Sequence, residues 1–136
     1  VLGNILRIRG AGEVAITASQ GGSADYEAAP PVIQTLTVTK GSQTITFGAL
    51  ADVAYGDAPF KLLATTNSGL TIIYKSSNES VATIDGNLVS IVGVGTTSIT
   101  ASQLGDDNYE AATDVTQDLV INKGSQTISF DARCLY

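Results

Sequence analysis

The residues best suited to chemistry lie on one acidic loop, residues 105–110. Ca²⁺ prefers several oxygen ligands, and this loop presents them on four neighbouring side chains: Asp106, Asp107, Asn108 and Glu110. They form a candidate calcium site, although their spacing is not that of an EF-hand. The alternative is a solvated loop in which Tyr109 anchors the turn. No other cofactor is predicted.

Exposed aromatic rings are a second candidate for binding, because flat rings can stack against sugars. The chain has five Tyr and no Trp. Tyr55 lies in a Gly-Asp turn and Tyr109 lies on the acidic loop, so these two are the candidate ligand-binding residues. Tyr74 alternates with Ile72 along one strand, which predicts that both side chains point inward.

Catalysis has little support in the residue types. The chain contains no His, so neither a Ser-His-Asp nor a Cys-His arrangement can form. Paired carboxylates for glycoside hydrolysis could come from Asp57, Glu79, Asp85, Asp106 or Glu110, but these residues fall in predicted turns of a small sandwich with no evident cleft. The chain is therefore predicted not to be an enzyme.

Charge and cysteine content narrow the choice of partners. The formal charge of -6 repels nucleic-acid phosphates and anionic membranes, so neither is expected as a partner.

With Cys134 as the single cysteine, no disulfide can form within the chain. No apolar run is long enough to cross a bilayer, and any export signal or anchor is expected outside these residues.

An internal repeat with an offset of 83 residues dominates the sequence. Residues 1–47 align without a gap on residues 84–130, and 25 of the 47 positions are identical. Identity at this level predicts two copies of one structural unit. The copies place Ser23-Ala24-Asp25 opposite Asp106-Asp107-Asn108, so the first copy lacks two of the candidate calcium carboxylates.

The repeat divides the chain into three parts. Residues 40–122 form one complete copy, and residues 1–39 are the C-terminal half of a preceding copy. Residues 123–130 are the first strand of a following copy, and residues 131–136 are a tail without a counterpart. That tail is either native or a cloning remnant.

Alternating apolar and polar residues predict strands throughout, and no segment has a helical period. Seven strands are expected in the complete copy, at about 43–48, 60–66, 70–76, 80–84, 87–92, 95–103 and 114–122. In the partial copy, strands are expected at about 4–9, 12–20 and 32–39. The turn Asp85-Gly86-Asn87 predicts a tight hairpin. The predicted core consists of Ile45, Phe47, Leu62, Ile72, Tyr74, Leu88, Ile99, Leu119 and Ile121.

A family resemblance supports this strand pattern. The run 76–84, followed by residues 86–101, resembles the bacterial Ig-like group 2 domains of the invasin and intimin type. The segment 40–47, together with residues 55–60, is similar to longer repeats of very large bacterial surface or secreted proteins. The resemblance implies an all-β, immunoglobulin-like β-sandwich of about seven strands per repeat, with an extra partial repeat. It also implies an extracellular or cell-surface location.

Three functions remain open at the level of sequence. The chain could be a structural spacer or adhesive module of a bacterial surface protein, with neighbouring repeats as its partners. It could instead be a carbohydrate-binding module of a secreted protein, attaching to polysaccharide or to another cell surface. The third hypothesis is a self-assembling filament subunit that exchanges strands with copies of itself.

The halves of the repeat are unequal in number. Residues 40–83 form one front half, whereas residues 1–39 and 84–122 form two back halves. Residues 84–122 are expected to complete the front half, because ordinary turns connect them to it. Residues 1–39 are then ordered either by strand exchange with another chain or by packing on the sheet edge of the complete domain.

Overall fold

The computed structural model describes residues 3–132 and contains eleven strands and no helix within that range. The strands are β1 (Gly12–Gln20), β2 (Ala29–Val38), β3 (Ile45–Thr46), β4 (Val53–Ala54), β5 (Phe60–Lys61), β6 (Thr65–Thr66), β7 (Ile73–Ser76), β8 (Ala82–Asp85), β9 (Leu88–Ile91), β10 (Gly95–Ser102) and β11 (Val115–Asn122). The predicted all-β class is confirmed.

The chain divides into two compact units. The first unit comprises Val1–Thr44 and Leu104–Ala112, and the second comprises Ile45–Gln103 and Thr113–Tyr136. These divisions differ from the repeat boundaries at residues 39/40 and 122/123, which stay predictions from the sequence. The second unit holds nine of the strands, whereas the first holds β1 and β2.

The second unit is a β-sandwich with immunoglobulin-like strand order. One sheet has the order β4-β11-β10-β7, and the opposing strands form the groups β5-β9-β8 and β3-β6. Its β4 runs parallel to β11, whereas the other pairs are antiparallel. Within this unit, β9, β10 and β11 pair with β5, β7 and β4 respectively. The predicted strand over 60–66 is divided into β5 and β6, and β4 was not predicted.

The core lies between these strands. Six of the nine predicted core residues are buried, namely Ile45, Phe47, Leu62, Ile99, Leu119 and Ile121. Ile72 and Tyr74 are half-buried, and the Tyr74 ring meets Phe47 edge-on with centroids 5.8 Å apart. Leu88 is also half-buried, whereas its neighbour Val89, which was not predicted, is the fully buried residue of β9. Apolar residues occupy both faces of β9, so alternation alone could not choose the inner one.

The turn between β8 and β9 is the predicted tight hairpin. Asp85 pairs with Leu88 across a two-residue loop, and Gly86 has a φ of 61°. Glycine at the first central position of a two-residue loop is the pattern of a type II′ turn. Asn87 does not take a positive φ, so only the glycine uses the left-handed region.

The first unit contains a hairpin that repeats the pairing of β10 and β11. In β1–β2, Gly12 pairs with Val38 and Val14 with Leu36; the counterpart pairs 83 residues later are Gly95 with Ile121 and Thr97 with Leu119. The turn glycines also correspond, with φ of 81° at Gly22 and 78° at Gly105. Among the described residues, β2 is the only strand that pairs with β1. How residues 1–39 are ordered, by another chain or on the sheet edge of the complete domain, stays a prediction.

Two predicted strands of the partial copies are not formed. Residues 4–9 contain an isolated bridge at Ile5 and no strand, and residues 123–130 have no strand. In the complete copy the corresponding strands pair with β5, β8 and β6. Within the described residues, neither segment pairs with another strand.

Candidate functional site

The acidic loop is held by its own hydrogen bonds. Asp106 Oδ1 accepts hydrogen bonds from the backbone N–H groups of Asn108 (2.8 Å) and Tyr109 (2.9 Å). Asn108 Oδ1 accepts one from the backbone N–H of Ala11 at 2.9 Å. In two of the four candidate ligands, a side-chain oxygen therefore already accepts a hydrogen bond from a backbone N–H group. The Asp106 side chain closes the turn in this way, whereas the Asn108 side chain connects the loop to Ala11.

The first copy closes the same turn with a hydroxyl group. Ser23 Oγ accepts from the backbone N–H groups of Asp25 and Tyr26, each at 3.3 Å. The backbone N–H of Ser23 donates to Tyr26 O, as that of Asp106 donates to Tyr109 O. Because serine performs this task without a charge, the turn itself does not depend on a bound cation.

The structure places Asp107 and Glu110 on the exposed surface of the loop. Within residues 3–132, no three acidic, His or Cys side chains come together as a metal-binding group. Calcium binding at residues 106–110 stays a prediction. A calcium titration to millimolar concentration tests it, since binding to the folded state would raise the melting temperature.

The two candidate tyrosines have different surroundings. Tyr55 is exposed, and its backbone N–H donates to Asn122 O at 2.8 Å. Tyr109 is half-buried, and its ring carbons lie 3.2 Å from the position that a Cβ on Gly41 would occupy. A ring covering a glycine in this way serves packing. Tyr55 is therefore the one of the two that offers an open ring.

The loop forms a clasp with residues 40–43, which the sequence analysis did not foresee. We call this contact the Lys-Gly clasp. Its hydrogen bonds are Lys40 Nζ to Asp106 O (2.8 Å), Gly41 N to Asn108 O (2.8 Å), Glu110 N to Gly41 O (2.8 Å) and Gln43 Nε2 to Glu110 O (2.7 Å). The sequence contained one indication of the clasp, since both segments that form it have counterparts in the repeat.

The β1–β2 hairpin presents an apolar face that the complete copy buries. Val14 is 45% exposed, whereas its counterpart Thr97 is 1% exposed. Ile16, Leu36 and Val38 are half-buried, and their counterparts in β10 and β11 are at most 1% exposed. We call these four side chains the hairpin face. The strand pairing corresponds over most of the two hairpins, but the burial of these four positions differs.

The grooves of the second unit carry few reactive groups. One of about 610 Å³ is lined mainly by residues 62–66 and 69–72. Tyr74 is its single ionisable side chain, and the Tyr74 hydroxyl accepts a hydrogen bond from the backbone N–H of Ala64 at 3.0 Å. This groove has neither the paired carboxylates nor the nucleophile and base that hydrolysis uses.

Comparison with known proteins assigns neither a family nor a function to the chain. No protein-family model matches the chain, and no curated protein shows a significant match to it. In the part of the chain that the structure describes, there is also no helix with the length and apolar character to span a membrane.

Proposed function

We propose that the chain is a non-catalytic, immunoglobulin-like repeat that acts as a structural spacer in a tandem array of a bacterial surface protein. The observation that carries this proposal is the 83-residue repeat with the same strand pairing in both copies. An array of such units gains reach from the number of copies. Each copy contacts its neighbours and requires no reactive site of its own.

The location and partners follow from the same proposal. The resemblance to invasin- and intimin-type domains supports an extracellular or cell-surface position. The partners are then neighbouring repeats. The charge of -6 supports a solvated surface that keeps away from nucleic acid and anionic lipid.

Labelling of intact cells tests the location. Antibodies raised against the 136-residue chain should bind non-permeabilised cells of the source bacterium, and protease added outside the cells should remove the signal. A cytoplasmic protein of the same cells provides the control for leakage. Labelling that requires permeabilisation would contradict the proposal.

An adhesive role as a carbohydrate-binding module is the second candidate, and the exposed ring of Tyr55 favours it. A polysaccharide panel with the wild-type chain, Tyr55→Ala and Tyr26→Ala tests this role. Tyr26 is also exposed and provides the matched control. Loss of binding in Tyr55→Ala alone would support sugar recognition, and absence of binding by the wild-type chain would leave the spacer function.

A further inference from the structure

Residues 123–130 are a first strand without partners. They repeat residues 40–47 at seven of eight positions, the difference being Ser129 in place of Thr46. Ile128 is 95% exposed and Phe130 is 85% exposed, whereas their counterparts Ile45 and Phe47 are 4% and 6% exposed. The segment thus has the side chains of an inner strand and no core to bury them in.

The complete copy shows what such a segment binds. Residues 40–43 form the Lys-Gly clasp with the loop, and the Tyr109 ring covers Gly41. Farther along the segment, Gln117 Nε2 donates to Phe47 O at 2.8 Å. Side chains at alternate positions, Gln43, Ile45 and Phe47, are buried.

Residues 1–39 carry a second set of the groups that make these contacts. The backbone carbonyls of the clasp recur on Ser23, Asp25 and Glu27, and the side-chain amide recurs on Gln34. The turn has the same hydrogen bonds and the same glycine geometry as its counterpart. Tyr26, which corresponds to Tyr109, is exposed, and no glycine of the described residues lies against its ring. In the hairpin face, Val14 is exposed and the other three side chains are half-buried.

We propose that residues 123–130 of one molecule bind the β1–β2 hairpin and the Tyr26 turn of a second molecule. Gly124 lies under the Tyr26 ring, and its backbone N–H donates to Asp25 O. The Gln126 side chain donates to Glu27 O, and Gln34 donates to Phe130 O. Ile128 and Phe130 cover part of the hairpin face.

A second copy is the occupant because both halves of the contact are present on every chain. Within one chain, Gly124 lies against the backbone carbonyl of Tyr55, but the side chains of Ile128 and Phe130 are exposed and accessible to a second molecule. Donor and acceptor are different surfaces, which makes the contact head-to-tail. Such a contact adds subunits without a fixed limit unless the rotation closes a ring. This inference goes beyond the spacer role, which stands whether or not separate chains associate.

Three single substitutions test the proposed contact: one in the donor segment 123–130, one in the acceptor hairpin β1–β2, and one control. Ile128→Asp places a charge on the inner side of the donor segment, and Val14→Asp places one on the hairpin face. Ser129→Asp is the matched control, because its counterpart Thr46 is exposed in the complete copy. All three positions are exposed in the chain or lie outside the sandwich core, so the sandwich should stay folded.

Sedimentation equilibrium up to about 1 mM protein measures the association, since contacts of this small size are weak. The wild-type chain and Ser129→Asp should exceed 13.9 kDa increasingly with concentration. Ile128→Asp and Val14→Asp should each stay monomeric. An equimolar mixture of these two should form a dimer and nothing larger, because one functional donor and one functional acceptor remain.

Three results would overturn the proposal. The first is a wild-type chain that stays at 13.9 kDa throughout. The second is association of Ile128→Asp to the same extent as the wild type, which would mean that two hairpin faces pack on each other. The third is a mixture of the two monomeric variants that forms no dimer. Circular dichroism of each variant confirms that loss of association is not loss of folding.

Discussion

At the scale of single residues, two side chains at the same position of the repeat can differ in burial. Ile99 and Ile16 occupy the same repeat position in equally paired strands, yet Ile99 is fully buried and Ile16 is half-buried. The same side chain therefore contributes differently to stability in the two copies. The difference comes from what covers the strand, because the local sequence around both residues is Ile-Thr-Ala-Ser-Gln.

Replacing Ile99 by Ala should lower the free energy of unfolding by about 2–5 kcal/mol, because it leaves a cavity in a closed core. Ile16→Ala is the matched control and should cost less than about 1 kcal/mol, since solvent already reaches that side chain. Urea denaturation of both variants measures these changes. Equal losses for the two would mean that the hairpin face is covered in solution.

A second residue-scale prediction concerns Asp106. Asp106→Ala removes the acceptor of two backbone N–H groups and should cost about 1 kcal/mol of turn stability, in the range measured for lost caps. Asp106→Ser should retain most of it, since Ser23 closes the equivalent turn with its hydroxyl. Hydrogen exchange at the Tyr109 amide reads this turn directly. Serine performing no better than alanine would show that the carboxylate charge has a role beyond closing the turn.

At the scale of elements, the two hairpins form a natural comparison. β10–β11 lies in a four-stranded sheet with a buried face, whereas β1–β2 stands as a two-stranded sheet. Two-stranded hairpins are at best marginally stable in water, because they bury little apolar surface. We therefore expect β1–β2 to be less stable than β10–β11, although their backbone pairing is similar.

Hydrogen exchange should show this inequality within one sample. The paired amides of β1 and β2 should exchange at least about 100-fold faster than those of β10 and β11, since local opening of a two-stranded sheet requires less free energy. The measurement belongs at low micromolar concentration, where chains are separate. Similar protection in both hairpins under those conditions would contradict the marginal stability of β1–β2.

At the scale of the whole molecule, the core belongs to the front half and the second back half. All buried apolar residues within the described range 3–132 fall between Ile45 and Ile121. Residues 1–39 contribute none of them. The sandwich should therefore fold without the first 39 residues.

Deleting residues 1–39 should change the melting temperature of the sandwich by less than about 4 °C, which corresponds to about 1 kcal/mol for a domain of this size. The control is a chain ending at Ala112. That chain lacks β11 with Leu119 and Ile121, and it should not fold cooperatively. Calorimetry of both measures the effect. A deletion of residues 1–39 that unfolds the sandwich would show that the hairpin is part of the folding unit.

The sequence alone determined the all-β class, the repeat and most of the core. Period-two alternation is a local property, so it identified Ile45, Phe47, Ile99 and Leu119 as inward-facing without knowledge of any partner strand. The match of Ile16–Gln20 with Ile99–Gln103 predicted two copies of one unit. β1–β2 and β10–β11 share one register up to the pairs Ala18–Val32 and Ala101–Val115, and β1–β2 has a further pair, Gln20–Ala29, after a register shift.

The tertiary structure decided everything that depends on a distant partner. Alternation could not choose between Leu88 and Val89, because both faces of β9 are apolar. Residues 123–130 have a strand sequence but no strand, since a strand needs a neighbour for its backbone hydrogen bonds. The hairpin face is likewise less buried than its counterparts in β10 and β11, although its strands are paired. A repeat motif specifies how it pairs, whereas burial depends on which other segments of the chain are available to cover it.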